Sequence, residues 1–310
     1  MTPILFIAFN RPDLTQRTFD TIRQAKPDRL FVAMDAPRDG HVGEAERTRQ
    51  TRAITEDVDW DCEVTRLYAD TNLGCGRRIS SAITRVLEEY ESAIILEDDC
   101  LPDPSFFSFC SLLLDHYQND ERVMSISGDN FQGDRQFGNG SYYFSKYPHC
   151  WGWATWRRAW RHFDLAMTAW PEFRDSGGLE TFCHTEVEYD FWRHTYDVTH
   201  AGQIDTWDTQ WTLSSWLQNG LTALPNKNLV SNIGFRGDGT HTTHTAEYAD
   251  LPRTTLGPIV HPKQVHANTI ADQHTDRLLY SGPWQRGVAR ERKVWRRIRR
   301  GVRRRFESAA

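Results

Sequence analysis

The chain has 310 residues with 39% hydrophobic and 25% charged side chains and a formal charge of −5. That composition excludes a collagenous, disordered or multi-span membrane protein and is long enough to bury a core without staples. The mean charge hides a split: residues 286–310 carry eleven Lys/Arg against two acids, a net +9, which leaves −14 on the remainder. The six cysteines show no CxxC spacing, so neither a zinc knuckle nor a redox pair is written here, and reduced thiols in a cytoplasmic protein are expected.

The first hundred residues alternate in the βαβ manner. The segment Ile4 to Phe9 is a continuous apolar run, the pattern of a strand buried on both faces of a parallel sheet, and it reads as a first strand rather than a secretory signal. Helical spacing follows over Leu14–Ala25, with Pro12 suited to the first turn. A second strand is predicted over Leu30–Met34, a charged helix over residues 43–57, a strand over Cys62–Tyr68 and a helix over Arg77–Tyr90. The strand Ala93–Leu96 runs directly into Glu97-Asp98-Asp99. This alternation predicts a doubly wound α/β sheet.

After about residue 120 the texture changes. Short strands are predicted at Val123–Ser127 and Ser141–Ser145, an aromatic block at Tyr147–Trp160, helices within 186–220 and short strands within Gly220–Ile233. Residues 234–244 are a Gly/His/Thr loop, and 250–283 have no clear period.

Three adjacent carboxylates at the carboxyl end of a buried strand stand where open α/β sheets place ligands. They repel one another unless a cation or donors neutralise them, which points to Mg²⁺ or Mn²⁺ shared with substrate phosphates. The bland alternative is a solvated turn ahead of a helix starting near Pro104. In Trp207-Asp208-Thr209-Gln210-Trp211, an acid between two large aromatics suits a general base raised by desolvation, or simply a helix N-cap. The loop at Gly237–His244 offers backbone donors, hydroxyls and imidazoles to a diphosphate; the alternative is an exposed loop. Of the 12 tryptophans, those at Trp151, Trp153, Trp156 and Trp160 either stack a sugar or pack the core. The segment Gly74–Arg78 before a helix is a weaker phosphate candidate.

Taken in order, Pro3–Arg11, Met34-Asp35, the helix at 77–90, Ala93–Phe107, Trp151-Gly152-Trp153, Trp207–Trp211 and Pro225–His241 resemble a GT-A-fold glycosyltransferase, most closely the N-acetylglucosaminyltransferase I-like group. The resemblance implies a GT-A-like, mostly parallel mixed sheet at 1–245, with a Rossmann-like nucleotide-binding half at 1–120 and an aromatic-rich acceptor half at 121–245. An irregular extension would follow at 246–283 and a basic amphipathic helix at 284–310. It implies an inverting transfer from a nucleotide-diphosphate sugar, a UDP-sugar being favoured, to a carbohydrate or lipid-linked acceptor. By the same resemblance Asp99 binds the metal, Arg11, Asp35, Glu97, Asp98 and His241 bind the donor, and Asp208 is the base. Trp151, Trp153 and Trp207 are the expected acceptor-binding aromatics. The basic tail predicts contact with an anionic membrane surface, peripheral at the inner membrane face, with docking on the acidic body or a disordered basic tail as the alternatives; no nucleic-acid recognition motif accompanies it. Two rivals are a sugar-nucleotide pyrophosphorylase, against which the absence of glycine in Phe9–Asp13 argues, and a non-catalytic carbohydrate-binding protein.

Overall fold

Apolar runs that sequence reasoning assigns to strands form one half of a single sheet. The computed structural model describes residues 2–236 and 248–287. Strands β1 (Ile4–Ala8), β2 (Arg29–Met34), β3 (Glu63–Tyr68) and β4 (Ser92–Glu97) pair in parallel, with β1 between β2 and β4 and β3 outside β2. Their crossovers are helices α1 (Pro12–Ala25), α2 (Glu44–Glu56) and α3 (Cys75–Glu89). Every residue of β1 is buried. Because strand side chains alternate, Phe6 joins Phe19 and Val32 in the core on one face, while Leu5 and Ile7 join Ile83 and Val86 on the other. Each such side chain contributes about 1.5–3 kcal/mol through burial.

The chain continues through β5 (Cys100–Pro102), α4 (Ser105–His116), β6 (Val123–Ser127), β7 (Tyr142–Ser145) and β8 (Trp153–Trp156). Then come α5 (Arg157–Trp160), α6 (Trp170–Asp175), α7 (Glu186–His200), α8 (Asp208–Leu217), β9 (Leu221–Pro225), β10 (Val230–Asn232) and α9 (Thr269–Leu279). The eight-stranded order is β3-β2-β1-β4-β8-β6-β9-β7, and β5 pairs with β10 in a separate ribbon. Strand β8 runs antiparallel to β4 and β6, β6 is parallel to β9, and β7 is antiparallel to β9. The fold is therefore the doubly wound, mixed α/β sheet that was expected.

Two elements depart from the sequence reading. The aromatic block supplies β8, a central strand, so Trp153 is a core side chain. The stretch at 246–283 is not wholly irregular: Asn268 caps α9 by accepting from Ala271 N at 3.0 Å, and Asp272 accepts from Ser145 Oγ at 2.6 Å. This helix docks on β7 largely through buried polar groups, including Thr275, which Gln132 reaches at 2.9 Å. The tryptophan surplus is mostly core: Trp170, Trp192 and Trp216 cluster with Tyr147 and Tyr196. Among the described residues no helix is long and apolar enough to cross a membrane. The basic tail from residue 288 onward lies outside the described residues.

Candidate active site between two cavities

The three carboxylates after β4 have different surroundings. Asp98 is buried, ion-pairs with Arg11, and accepts weakly from Phe9 N at 3.4 Å and Thr15 Oγ1 at 3.5 Å. Burial pushes its carboxyl up to about 6 against the pull of Arg11. Asp99 shares the same guanidinium at 3.1 Å. Burial works against the charge of Arg11, but Asp98 and Asp99 outweigh it and hold the guanidinium protonated. The Glu97 carboxylate accepts no hydrogen bond among the described residues. Burial, then the neighbouring Asp99 and Asp98, push it up to about 8. Arg11 thus neutralises the acidic turn as well as facing the ligand space.

Glu97, Asp98 and Arg11 line a cavity of about 200 Å³ together with Asp35, Arg38 and Arg78. Asp35 is spent on backbone: it accepts from Ala36 N at 3.1 Å, Leu73 N at 2.9 Å and Gly74 N at 3.0 Å, fixing the loop ahead of α3. Arg38 is paired with the buried Glu44 at 2.6 Å. Arg78 has no ion pair among the described residues, its Nε is buried without a partner, and burial lowers its pKa. It is the uncommitted cation of this cavity. The backbone at the start of α3 is not available to phosphate, because Asp205 accepts from Cys75 N at 2.8 Å and Gly76 N at 2.9 Å. A Cβ at Gly76 would lie 2.7 Å from Thr206 O, so only glycine permits this approach. Of the Gly74–Arg78 candidate, the arginine side chain remains.

The same contact positions Asp208. By tying the loop after α7 to α3, Asp205 sets the entry of α8 three residues later. Trp207 and Trp211 point inward: Trp207 stacks on Trp153 at 5.3 Å, and Trp211 lies 5.2 Å from Trp160. Asp208 itself is exposed at the first position of α8. The expected desolvation by its flanking tryptophans is therefore absent, since a helix turns these residues away from the carboxylate. Its Oδ1 accepts from Thr206 Oγ1 and from Thr209 N at 2.8 Å, while Oδ2 has no partner among the described residues.

Asp208 borders a second cavity of about 300 Å³, walled by Phe131, His149, Trp151, Phe235, Tyr248 and Tyr280 among others. Its charge also helps raise Glu97, so it stands within electrostatic reach of both cavities. Trp151 is half-buried and faces this space, packing against Phe131 at 5.1 Å and Phe235 at 5.4 Å. Trp153 and Trp207 are packed in the core and line neither cavity, so the acceptor contacts expected of them do not fit the structure. His241 lies outside the described residues. Two larger hollows, about 680 and 740 Å³, are lined by none of Glu97–Asp99 or Asp208.

No group of three or more His, Cys, Asp or Glu side chains among the described residues is arranged to hold a metal ion. The donor set nevertheless suits a hard cation of the kind held by one or two carboxylates plus substrate phosphates. Asp99 is part-exposed, lies against Gly234 and is not on either cavity wall; the Glu97 carboxylate is on the wall and has no partner among the described residues. Sequence reasoning missed Arg38, which stands in a loop with no distinguishing pattern, and Asp205 and the pair Asp129–His149, whose partners are distant in sequence.

No protein-family model matches the chain, and no curated protein matches its sequence. Among solved structures, a mannosyltransferase from Pyrobaculum calidifontis in complex with GDP-Man and Mn²⁺ is similar at 14% identity and a TM-score of 0.33, over 50% of this chain and 45% of that one. The chain thus spans less than half the length of that enzyme. The galactosyltransferase LgtC, in complex with donor and acceptor sugar analogs, is similar at 12% identity and a TM-score of 0.38, over 72% and 73% of the two chains. A 4-diphosphocytidyl-2C-methyl-D-erythritol synthase from Anaerococcus prevotii gives 11% identity and a TM-score of 0.30, over 58% and 84%. These neighbours are glycosyltransferases and a nucleotidyltransferase.

Proposed function

We propose that this chain is a glycosyltransferase of the GT-A kind, moving a sugar from a nucleoside-diphosphate sugar to a carbohydrate hydroxyl with inversion. The observation that carries the reading is Asp208: a fixed carboxylate, one oxygen of which has no partner among the described residues, on the wall of an aromatic cavity and within electrostatic reach of a charged one. The charged cavity is the donor side, where Arg78 and Arg11 attract the diphosphate. The aromatic cavity is the acceptor side. Oδ1 of Asp208 is held by Thr206 and Thr209, so Oδ2 is the oxygen that takes the acceptor proton as the hydroxyl attacks. Asp35 acts by holding the loop before α3 rather than by free contact with a base.

Asp99, with Glu97 beside it, would hold Mn²⁺ or Mg²⁺. When bound, such an ion neutralises the charge gathering on the departing diphosphate. The motif resemblance favours a UDP-sugar.

The test is a thermal-shift and turnover screen of UDP- and GDP-sugars with and without Mn²⁺. The reading predicts metal-dependent stabilisation and release of free nucleoside diphosphate. Release of pyrophosphate instead would assign a pyrophosphorylase, and stabilisation by glycosides with no nucleotide effect would assign a carbohydrate-binding protein.

A further inference from the structure

The cavity beside Asp208 contains a polar pair that the reaction outlined above does not use. His149 Nδ1 lies 2.7 Å from Asp129 Oδ1, with the two side chains only 1% and 2% exposed. An ionised carboxylate only accepts, so Asp129 keeps a proton on Nδ1; in the neutral ring, Nε2 then carries the lone pair. That Nε2 is buried and has no partner among the described residues. A buried acceptor left unmatched costs free energy that a ligand hydroxyl removes.

The wall around this pair restricts what the ligand is. The ring of Phe131 lies 5.0 Å from the imidazole and 5.1 Å from Trp151, tying the polar pair and the half-buried indole into one surface. Among the described residues no lysine or arginine lines the cavity, whereas Asp129 and Asp208 both do. A phosphate or carboxylate group is therefore repelled here, unlike in the cavity of Arg11 and Arg78. At about 300 Å³ the space is at the small end of ligand cavities.

We infer that this cavity takes a single uncharged sugar ring, its apolar face against Trp151 and one ring hydroxyl donating to Nε2 of His149. Asp129 is the positioning residue that sets the imidazole. The inference rests on the proposed transfer only for the fate of that ring, which would present a further hydroxyl to Asp208.

The test is saturation-transfer NMR on the full chain with methyl glycosides of glucose, galactose, mannose and N-acetylglucosamine, and with methyl glucuronide as the charged comparison. At least one neutral glycoside is expected to bind. His149→Phe should weaken it by about tenfold, and His149→Gln, which still accepts, should restore most of that. Trp151→Ala should weaken it independently, which keeps the test sound where His149→Phe does not fold. Absence of any neutral glycoside binding to the wild type, tightest binding by the glucuronide, or unchanged binding in Trp151→Ala or in a folded His149→Phe would overturn the inference. Glycoside binding without nucleotide-sugar turnover would leave this inference standing and remove the proposed function; turnover without glycoside binding would do the reverse.

Discussion

The two halves of the sheet solve opposite problems. The parallel half, β3-β2-β1-β4, ends in a cavity where three arginines face four carboxylates; among the described residues Arg11 and Arg38 are ion-paired while Arg78 and Glu97 are not. The mixed half, β8-β6-β9-β7, is buttressed by aromatic helices and ends in a cavity with one imidazole–carboxylate pair and, among the described residues, no basic side chain other than that histidine. Charge at the strand ends suits a ligand that brings its own charge; a rigid aromatic wall suits one that brings none. Asp208 lies where these environments meet, so substitutions there and on either side separate their contributions.

The largest effect is expected at that boundary. Asp208→Asn should lower sugar transfer by about 10²–10⁴-fold while leaving donor affinity within about threefold, read by turnover and calorimetry. Undiminished transfer would move the base elsewhere. On the charged side, Arg11→Ala leaves Asp98 buried without its cation and should cost about 3–5 kcal/mol in denaturant unfolding. A loss below about 1 kcal/mol would mean that the acidic turn is solvated and the contrast between the halves is overstated.

On the mixed side a buried acid lacks a full counterpart. Burial raises Asp272 from 3.8 to about 6. The folded state thus binds this proton more tightly than the unfolded chain, so the associated stability is full below pH 4 and is lost as pH rises through 6. Asp272→Asn should flatten that decline, which amounts to up to about 3 kcal/mol. Unchanged pH dependence in the variant would place the titrating group elsewhere. The smallest effect is at the link between the halves. Asp205→Ala frees two backbone donors of α3 and should cost about 1 kcal/mol, with turnover falling because Asp208 loses its anchor. Lost stability with intact turnover would make Asp205 purely structural.

The parallel half was legible in the sequence because each strand is a continuous apolar run and each crossover helix has one apolar face. The Glu97-Asp98-Asp99 turn was legible for the same reason, standing where such a strand stops. Strand β8 was not, since Trp153 and Trp156 read equally as ligand-facing or core side chains until β4 and β6 are seen on either side. Helix α9 was hidden because it docks through Asp272 and Thr275 rather than through an apolar stripe. Asp208 was found as a residue and on its helix but not in its setting: the helix turns Trp207 and Trp211 inward and leaves the carboxylate exposed at its first turn. The pair Asp129–His149 spans twenty residues and two loops, a separation no local pattern encodes.

The central claim is that the charged cavity receives a nucleoside diphosphate. Calorimetric titration of UDP and GDP into the full chain, with and without Mn²⁺, addresses it most directly. The account predicts saturable one-to-one binding of at least one of them, strengthened by the metal in the wild type but not in Asp99→Ala, and weakened about tenfold or more by Arg78→Ala. No binding of either nucleotide, or equal binding by the wild type and Arg78→Ala, would contradict it.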